Sequence, residues 1–433
     1  MKRWVACSLV LASFLAPAAA IAQPATKPAV KFGIDVLRDE NFKSLAGKKV
    51  GLIASPSSVD EHLAPTSTLF KQAKGPTLVA MFGPEHGIYG DEYAGDKVED
   101  RTDPRTGIPI YSLYGKTRKP TPEMLANLDT LVFDLQDIGS RSYTNISTMK
   151  VAMEACAEQD KEFVVLDRAN PLGGERVEGP RLDEKKYSSF VGIIDVPYVH
   201  GMTTGELAQL MRERFVPNYK KLRVVKMTGW SRDMVWEDTG HAWVPTSPHV
   251  PHASSVAAYA ATGIVGELYV ISNGVGYTQP FEIVGAPYVD GEALSDALNE
   301  HWTKPRAAYE ALAAKQVVSA EKTAKPAGVY FCSIRFKPFY ATFAKEVCQG
   351  VQVHIDAKRA ETIVEINYRL MEALGAKKIL EEAPKRHDMF DKVNGSDEVR
   401  TYLTEGRDLG ELFAKWKQQC AEFKDARKTY LLY

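Results

Sequence analysis

The sequence predicts an α/β protein: a Rossmann-like, mostly parallel sheet domain joined to a smaller α/β C-terminal domain. Three observations predict it. Residues 78–82, 131–135, 163–166 and 196–199 are short, continuous apolar runs, the pattern of strands buried on both faces. Most of these runs alternate with helix-like segments, as βαβ units do. Each run ends in a polar cluster: Pro84-Glu85-His86-Gly87, Gln136-Asp137, Asp167-Arg168 and His200-Gly201. In an open α/β sheet the strand C-terminal ends share one crevice, where ligands bind.

The elements follow in order. Residues 1–22 read as a secretory signal, with Lys2 and Arg3 ahead of the apolar stretch 5–15 and a cleavage site at Ala20-Ile21-Ala22. The mature chain is then expected to start at Gln23 and to be periplasmic or secreted. Residues 23–30 look like a loose linker. Strands are expected at 49–54, 77–82, 128–135, 162–166 and 222–227. Helices are expected at 66–73, 121–127, 146–159 (Ser147 as N-cap) and 203–215. The glycine-rich, charged stretch 89–118 is long enough to suggest a lid or binding loop, and 232–255 is a second irregular stretch. A boundary is placed near 305, giving a catalytic domain over 31–305 and a smaller domain over 306–433. In the latter, β-like runs at 328–336 and 350–355 precede helices at 360–374 and 409–423.

Composition narrows the function. Lys and Arg total 54 against 55 Asp and Glu, a net charge of −1, so nothing points to nucleic acid or to anionic membranes. No run after the leader is long and apolar enough for membrane insertion. Without Cys7, four cysteines remain and allow three pairings. Cys332 and Cys348, on the two β-like runs, are the pair those runs suggest. No C-x-x-C zinc pattern occurs. The first strand lacks the dinucleotide glycine pattern and residues 274–278 lack a P-loop lysine, so no nucleotide cofactor is expected. G-x-S-x-G and H-E-x-x-H are absent too.

The clusters carry the chemistry. Glu85 and His86, between a proline and a glycine, suit a general acid or base; the plainer reading is a solvated turn. Asp134 and Gln136 share one strand side and Asp137 lies at its end, with Arg141 and Tyr143 following. Together they could bind a carboxylated, hydroxylated ligand, or Asp and Arg could simply pair in the interior. Asp167 either orients Arg168 or meets substrate, and Glu178 is a candidate second carboxylate. His200 precedes Thr203 and Glu206, whose spacing is that of a capping box; the imidazole either faces the crevice or is structural.

These clusters resemble the exo-β-N-acetylmuramidase family (NamZ type, glycoside hydrolase family 171). The matching stretches are FGPEHGIYG (82–90), YSLYG (111–115), FDLQDIGSRSYT (133–144), VLDRANPLGG (165–174), VEGP (177–180), HGMTTGELA (200–208) and QPFEIVGAP (279–287). The resemblance implies a Rossmann-like domain plus a smaller domain. It implies removal of N-acetylmuramic acid from non-reducing ends of peptidoglycan-derived saccharides, with no cofactor. By position it makes Glu85 the catalytic acid and places Asp137 and His86 with it. Arg141, Tyr143, Asp167 and Arg168 would line the same pocket, and Glu178 and His200 are further candidates for substrate. Two departures stand out: Ala169 where the family usually has proline, and Val275 in a segment where it usually has arginine.

Two routes fit such a hydrolysis. A carboxylate pair would provide an acid and a nucleophile or base. Alternatively the 2-acetamido group of the substrate attacks and the protein needs one acid. An apolar pocket would hold Glu85 protonated, and Arg141 or Arg168 would bind the lactyl carboxylate. Competing readings are a non-catalytic cell-wall sugar-binding protein and a metal-dependent hydrolase using His86, Asp137, His200 and His249.

Overall fold

The computed structural model describes residues 29–93, 95–303 and 328–433. The leader, the cleavage site and most of the expected linker lie outside these residues. Val30, at the linker's end, is buried in the core.

Seven strands form the main sheet: β1 (Lys49–Ala54), β2 (Thr77–Gly83), β3 (Arg101–Thr102), β4 (Pro109–Ser112), β5 (Thr130–Asp134), β6 (Glu162–Leu166) and β7 (Leu222–Val225), in the order β3-β4-β2-β1-β5-β6-β7. All neighbours are parallel except β3, which runs antiparallel to β4 at the edge. The apolar runs are continuous because successive residues feed two different cores. Leu131, Phe133, Phe163 and Val165 enter one, under the helices Asn145–Glu158 and Thr204–Phe215. Val132, Val164 and Leu166 enter the other, with Ile34 and Leu37 of the helix Gly33–Asp39. At about 25 cal/mol per Å² of apolar surface, burial on both faces makes each of these strands strongly stabilising.

Strand order decides where a ligand fits. From β1 the chain steps outward through β2 to β4, then returns to β5 on the other side of β1. The register pairs Ile53 with both Phe82 and Phe133, so β1, β2 and β5 end level with one another. Loops leaving these ends diverge and open a crevice.

Two expectations change here. The stretch 89–118 is not one loop, since β4 lies within it and pairs with β2. The run 196–199 is not a sheet strand. Pro197 offers no N–H, and Val199 makes only isolated bridges to Ser140 and Glu178. His200 therefore sits in a loop.

A second sheet of β8 (Ile283–Ala286), β9 (Val329–Phe336) and β10 (Cys348–Ile355) is antiparallel, in the order β8-β10-β9. It shares a core with the helices Ser254–Gly266 and Glu365–Ala373, through Val256, Ile264, Val351, Ile366 and Leu370. Because β8 pairs with β10, a boundary at 305 would cut through a hydrogen-bonded sheet. The suggested Cys332–Cys348 bridge is also ruled out. Cys332 pairs with Gln352, and Cys348 with Phe336. That separates the two cysteines by four positions, about 14 Å along a strand, against a disulfide Cα separation of roughly 4.4–6.8 Å. All four described cysteines are free.

The C-terminus returns to the first sheet. Arg427 donates to the carbonyls of His200 (3.0 Å) and Gly174 (2.8 Å), and the Tyr433 hydroxyl donates to Asp167 (2.7 Å).

Candidate active site

A cavity of about 450 Å³ opens at the crevice between the ends of β1, β2 and β5. That is within the range of about 300–1,000 Å³ found for small-ligand clefts. Ser55 and Pro56 follow β1, the Pro84–Gly87 turn follows β2, and Ser142–Asn145 follow β5. Thr246, Ser247 and His249 close it from the stretch 232–255, and Tyr259 from the helix beyond.

The turn after β2 aims Glu85. Gly83 has no room for a side chain, since a Cβ there would lie 2.8 Å from the Ile88 nitrogen. The Gly87 N–H donates to the Pro84 carbonyl at 2.9 Å. His86 takes φ +69°, a left-handed conformation that costs a non-glycine residue and recurs at functional sites. Its Nδ1 bonds the Glu92 carbonyl at 3.0 Å. Glu85, half-buried, accepts from the Thr144 hydroxyl (2.7 Å at Oε2) and from the Gly95 N–H (3.0 Å at Oε1). Its direct partners are thus a hydroxyl and a backbone amide, while Pro56, Val191, Val250 and Phe281 contribute apolar surface to the cavity. Tyr114 faces the same carboxylate, and its phenol is pushed up to about 12 by burial first and by the charge of Glu85 second.

Thr144 is free to serve Glu85 because it does not cap its own helix. It is the N-cap residue of Asn145–Glu158 but makes no side-chain cap bond. Ser147, expected as the cap, instead donates to the Phe190 carbonyl at 2.6 Å.

Tyr143 lies edge-on to Tyr259, with ring centroids 6.1 Å apart. Burial raises the pKa of both phenols, so both stay neutral donors. Burial, and then the neighbouring His86, lower the pKa of His249, which favours a neutral imidazole. Its Nε2 lies 2.9 Å from the Tyr340 hydroxyl, which ties the second sheet's β9–β10 loop to the cavity.

Of the nine residues picked from the sequence, Glu85, His86 and Tyr143 line this cavity. The others do not. Arg141 is 1 % exposed and spends its guanidinium on four carbonyls, those of Pro180, Val196, Val393 and Asn394, at 2.6–2.9 Å. Arg168 forms a buried two-point ion pair with Asp134 at 2.6 and 3.0 Å. Asp167 accepts from the Gly205 N–H, the Thr203 hydroxyl and Tyr433, anchoring a helix start. Glu178 accepts from Thr362 and from the N–H groups of Ile363 and Val364, fastening the C-terminal helices. Glu206 completes a capping box with Thr203.

Asp137 and His200 form a separate buried pair. Asp137 Oδ2 accepts from the Gly139 N–H at 2.7 Å and lies 3.6 Å from His200 Nε2. His200 Nδ1 accepts from the Met202 N–H, so the ring proton belongs on Nε2, facing Asp137. Neither residue lines the cavity, though Asp137 is near enough to disfavour ionisation of Tyr143. This division also removes the metal-hydrolase reading, since His86 and His249 sit in the cavity and Asp137 and His200 do not. Among the described residues no three His, Cys, Asp or Glu gather in ligating geometry.

Sequence reading missed the hydroxyls of Ser142, Thr144, Thr246 and Ser247. Ser142 and Thr144 flank Tyr143, and their polarity just before a helix was the available signal. Thr246 and Ser247 come from an irregular segment that carries no periodicity to place it.

A parallel α/β sheet that delivers one carboxylic acid into a hydroxyl-lined, sugar-sized cavity at its switch point suits a glycoside hydrolase. The N-terminal and C-terminal models of the exo-beta-N-acetylmuramidase NamZ family match residues 50–254 and 257–433, and the chain belongs to that family. It is 38% identical over 416 residues to the peptidoglycan beta-N-acetylmuramidase NamZ of Bacillus subtilis strain 168, covering 95% of this chain and 93% of that one. Two solved DUF1343 family proteins from Bacteroides fragilis NCTC 9343 are similar in fold. One has a TM-score of 0.82 and 42% identity over 94% of this chain and 99% of its own. The other has a TM-score of 0.69 and 26% identity over 93% and 99%.

Proposed function

We propose that Glu85 is the general acid of an exo-acting glycoside hydrolase that releases N-acetylmuramic acid from the non-reducing ends of peptidoglycan fragments. The observation that carries this is the placement of Glu85: a carboxyl group on the wall of the switch-point cavity, oriented by Thr144 and Gly95.

The carboxylates favour the substrate-assisted route. Among the described lining residues the only other carboxylate is Glu267, which is bound to Arg386 at 2.9 Å. The 2-acetamido oxygen of the sugar then attacks the anomeric carbon as the glycosidic bond breaks, and Glu85 gives its proton to the leaving oxygen. In the second step the Glu85 carboxylate takes a proton from water, whose oxygen opens the cyclic intermediate. Tyr143, Asn145 and His249 are placed to hold the acetamido group and the ring hydroxyls. Net retention at the anomeric carbon follows.

A periplasmic or secreted location for this activity is supported by the leader read in residues 1–22, and recovery of exported protein with an N-terminus at Gln23 would test it.

The test is incubation with a chromogenic N-acetylmuramic acid β-glycoside beside its N-acetylglucosamine analogue. Release from the first is expected, and its anomer, read by NMR, should be β. No release from either at high enzyme concentration overturns the assignment. Inversion would overturn the substrate-assisted route alone.

A further inference from the structure

We propose that Arg118 is the specificity-determining residue that binds the lactyl carboxylate of the terminal sugar. The inference rests on the muramidase reading above. N-acetylmuramic acid differs from N-acetylglucosamine by an ether-linked lactyl group whose carboxylate is charged at neutral pH, so a site that selects it needs a cation. The residues lining the cavity include no lysine or arginine. The two arginines expected to do the work, Arg141 and Arg168, are committed to internal acceptors. Arg101, on the stretch that covers the turn, is engaged by Asp91 and Glu92, and Arg386 by Glu267.

Arg118 differs from all of these. It is exposed and pairs with no carboxylate among the described residues. Its guanidinium lies over two neighbouring rings, with Cζ 4.8 Å from the Tyr114 centroid and 4.3 Å from that of Phe190, and the rings themselves are 5.9 Å apart. Both rings adjoin residues of the cavity. Tyr114 faces the Glu85 carboxylate, and Phe190 precedes Val191, which lines the cavity. Phe190 is pinned by Ser147 through its carbonyl. Contact with the two rings restrains the planar fork while leaving N–H groups open to solvent, which lowers the entropy lost when a carboxylate binds in two-point fashion. Tyr114 touches both the Glu85 carboxylate and the Arg118 guanidinium, which brings the cation close to the acid.

The experiment compares wild type, Arg118→Gln and Arg118→Lys on three aryl β-glycosides: N-acetylmuramic acid, its lactyl methyl ester and N-acetylglucosamine. Slow substrates are read as competitive inhibitors. Wild type should prefer the free acid over the ester. Arg118→Gln should lower kcat/KM for the acid by about 10- to 100-fold, as expected for a hydrogen bond to a charged group, mostly through KM, and bring the acid-to-ester ratio near one. Arg118→Lys should recover part of that ratio. An acid-to-ester preference that survives Arg118→Gln overturns this assignment while leaving the muramidase reading intact. Wild-type enzyme inert on the acid overturns both. Unchanged thermal midpoints, expected at an exposed position, exclude unfolding as the cause.

Discussion

The Thr144 hydroxyl donates to Oε2 of Glu85 at 2.7 Å across 59 positions of chain, joining the turn after β2 to the first residues of the helix after β5. The bond spans the point where the strand order reverses. It orients the acid from the opposite side of β1, so the acid's geometry depends on both halves of the sheet.

Glu85→Gln should therefore reduce kcat by about 10²–10⁴-fold without changing stability, the usual range for loss of a general acid. Substrates with activated aryl leaving groups should suffer least, because they need less protonation. Thr144→Val, which removes only the orienting bond, should cost roughly tenfold. Steady-state kinetics over a series of leaving groups checks both.

Arg141 and Arg168 should behave as structural residues. Arg141→Gln frees four buried carbonyls, and Asp134→Ala strands the Arg168 charge in the interior. Breaking a buried pair in this way typically costs about 3–5 kcal/mol. Denaturant midpoints should fall in both variants, and KM for the folded fraction should hold. A KM increase with an unchanged midpoint would restore Arg141 as a substrate ligand.

Asp167 should make stability depend on pH in the sense opposite to most carboxylates. Burial, outweighing the bonds from Gly205, Tyr433 and Thr203, holds its pKa up at about 7, against an ordinary 3.8. The folded state therefore binds a proton that the unfolded chain has already released between those values. Stability from this group is complete below pH 4, declines as pH rises towards 7 and is level above it. Asn imitates the protonated acid, so Asp167→Asn should flatten that slope. Thermal midpoints from pH 4 to 8 in both proteins measure it.

Cys156, Cys332, Cys348 and Cys420 should all be free thiols, and of these only Cys332 should react quickly with an aromatic disulfide reagent. Cys156, Cys348 and Cys420 are buried, and burial raises the pKa of each, Cys348 to about 11. Intact mass without reductant would reveal any bridge.

The parallel sheet was legible because a strand buried on both faces must be apolar at every position, as in Leu131, Val132 and Phe133. The Glu85-His86 turn was legible for a related reason: polar residues between proline and glycine at the end of such a strand have to lie at the sheet's rim. The family's motifs could be read as well, since they are local strings of residues. Sequence alone did not separate Glu85, which reaches the cavity, from Asp167 or Glu178, which fasten helices. All three are carboxylates in turn-like segments, and their partners come from positions as distant as Tyr433 and Ile363. The same holds for the arginines. Whether a guanidinium meets carbonyls in the interior, as in Arg141, or lies over two rings at the surface, as in Arg118, is a matter of long-range packing. Local sequence determined where strands end and what chemistry stands there. The tertiary structure decided which of those groups solvent and substrate can reach, because burial and hydrogen-bond partners are properties of segments brought together from far apart in the chain.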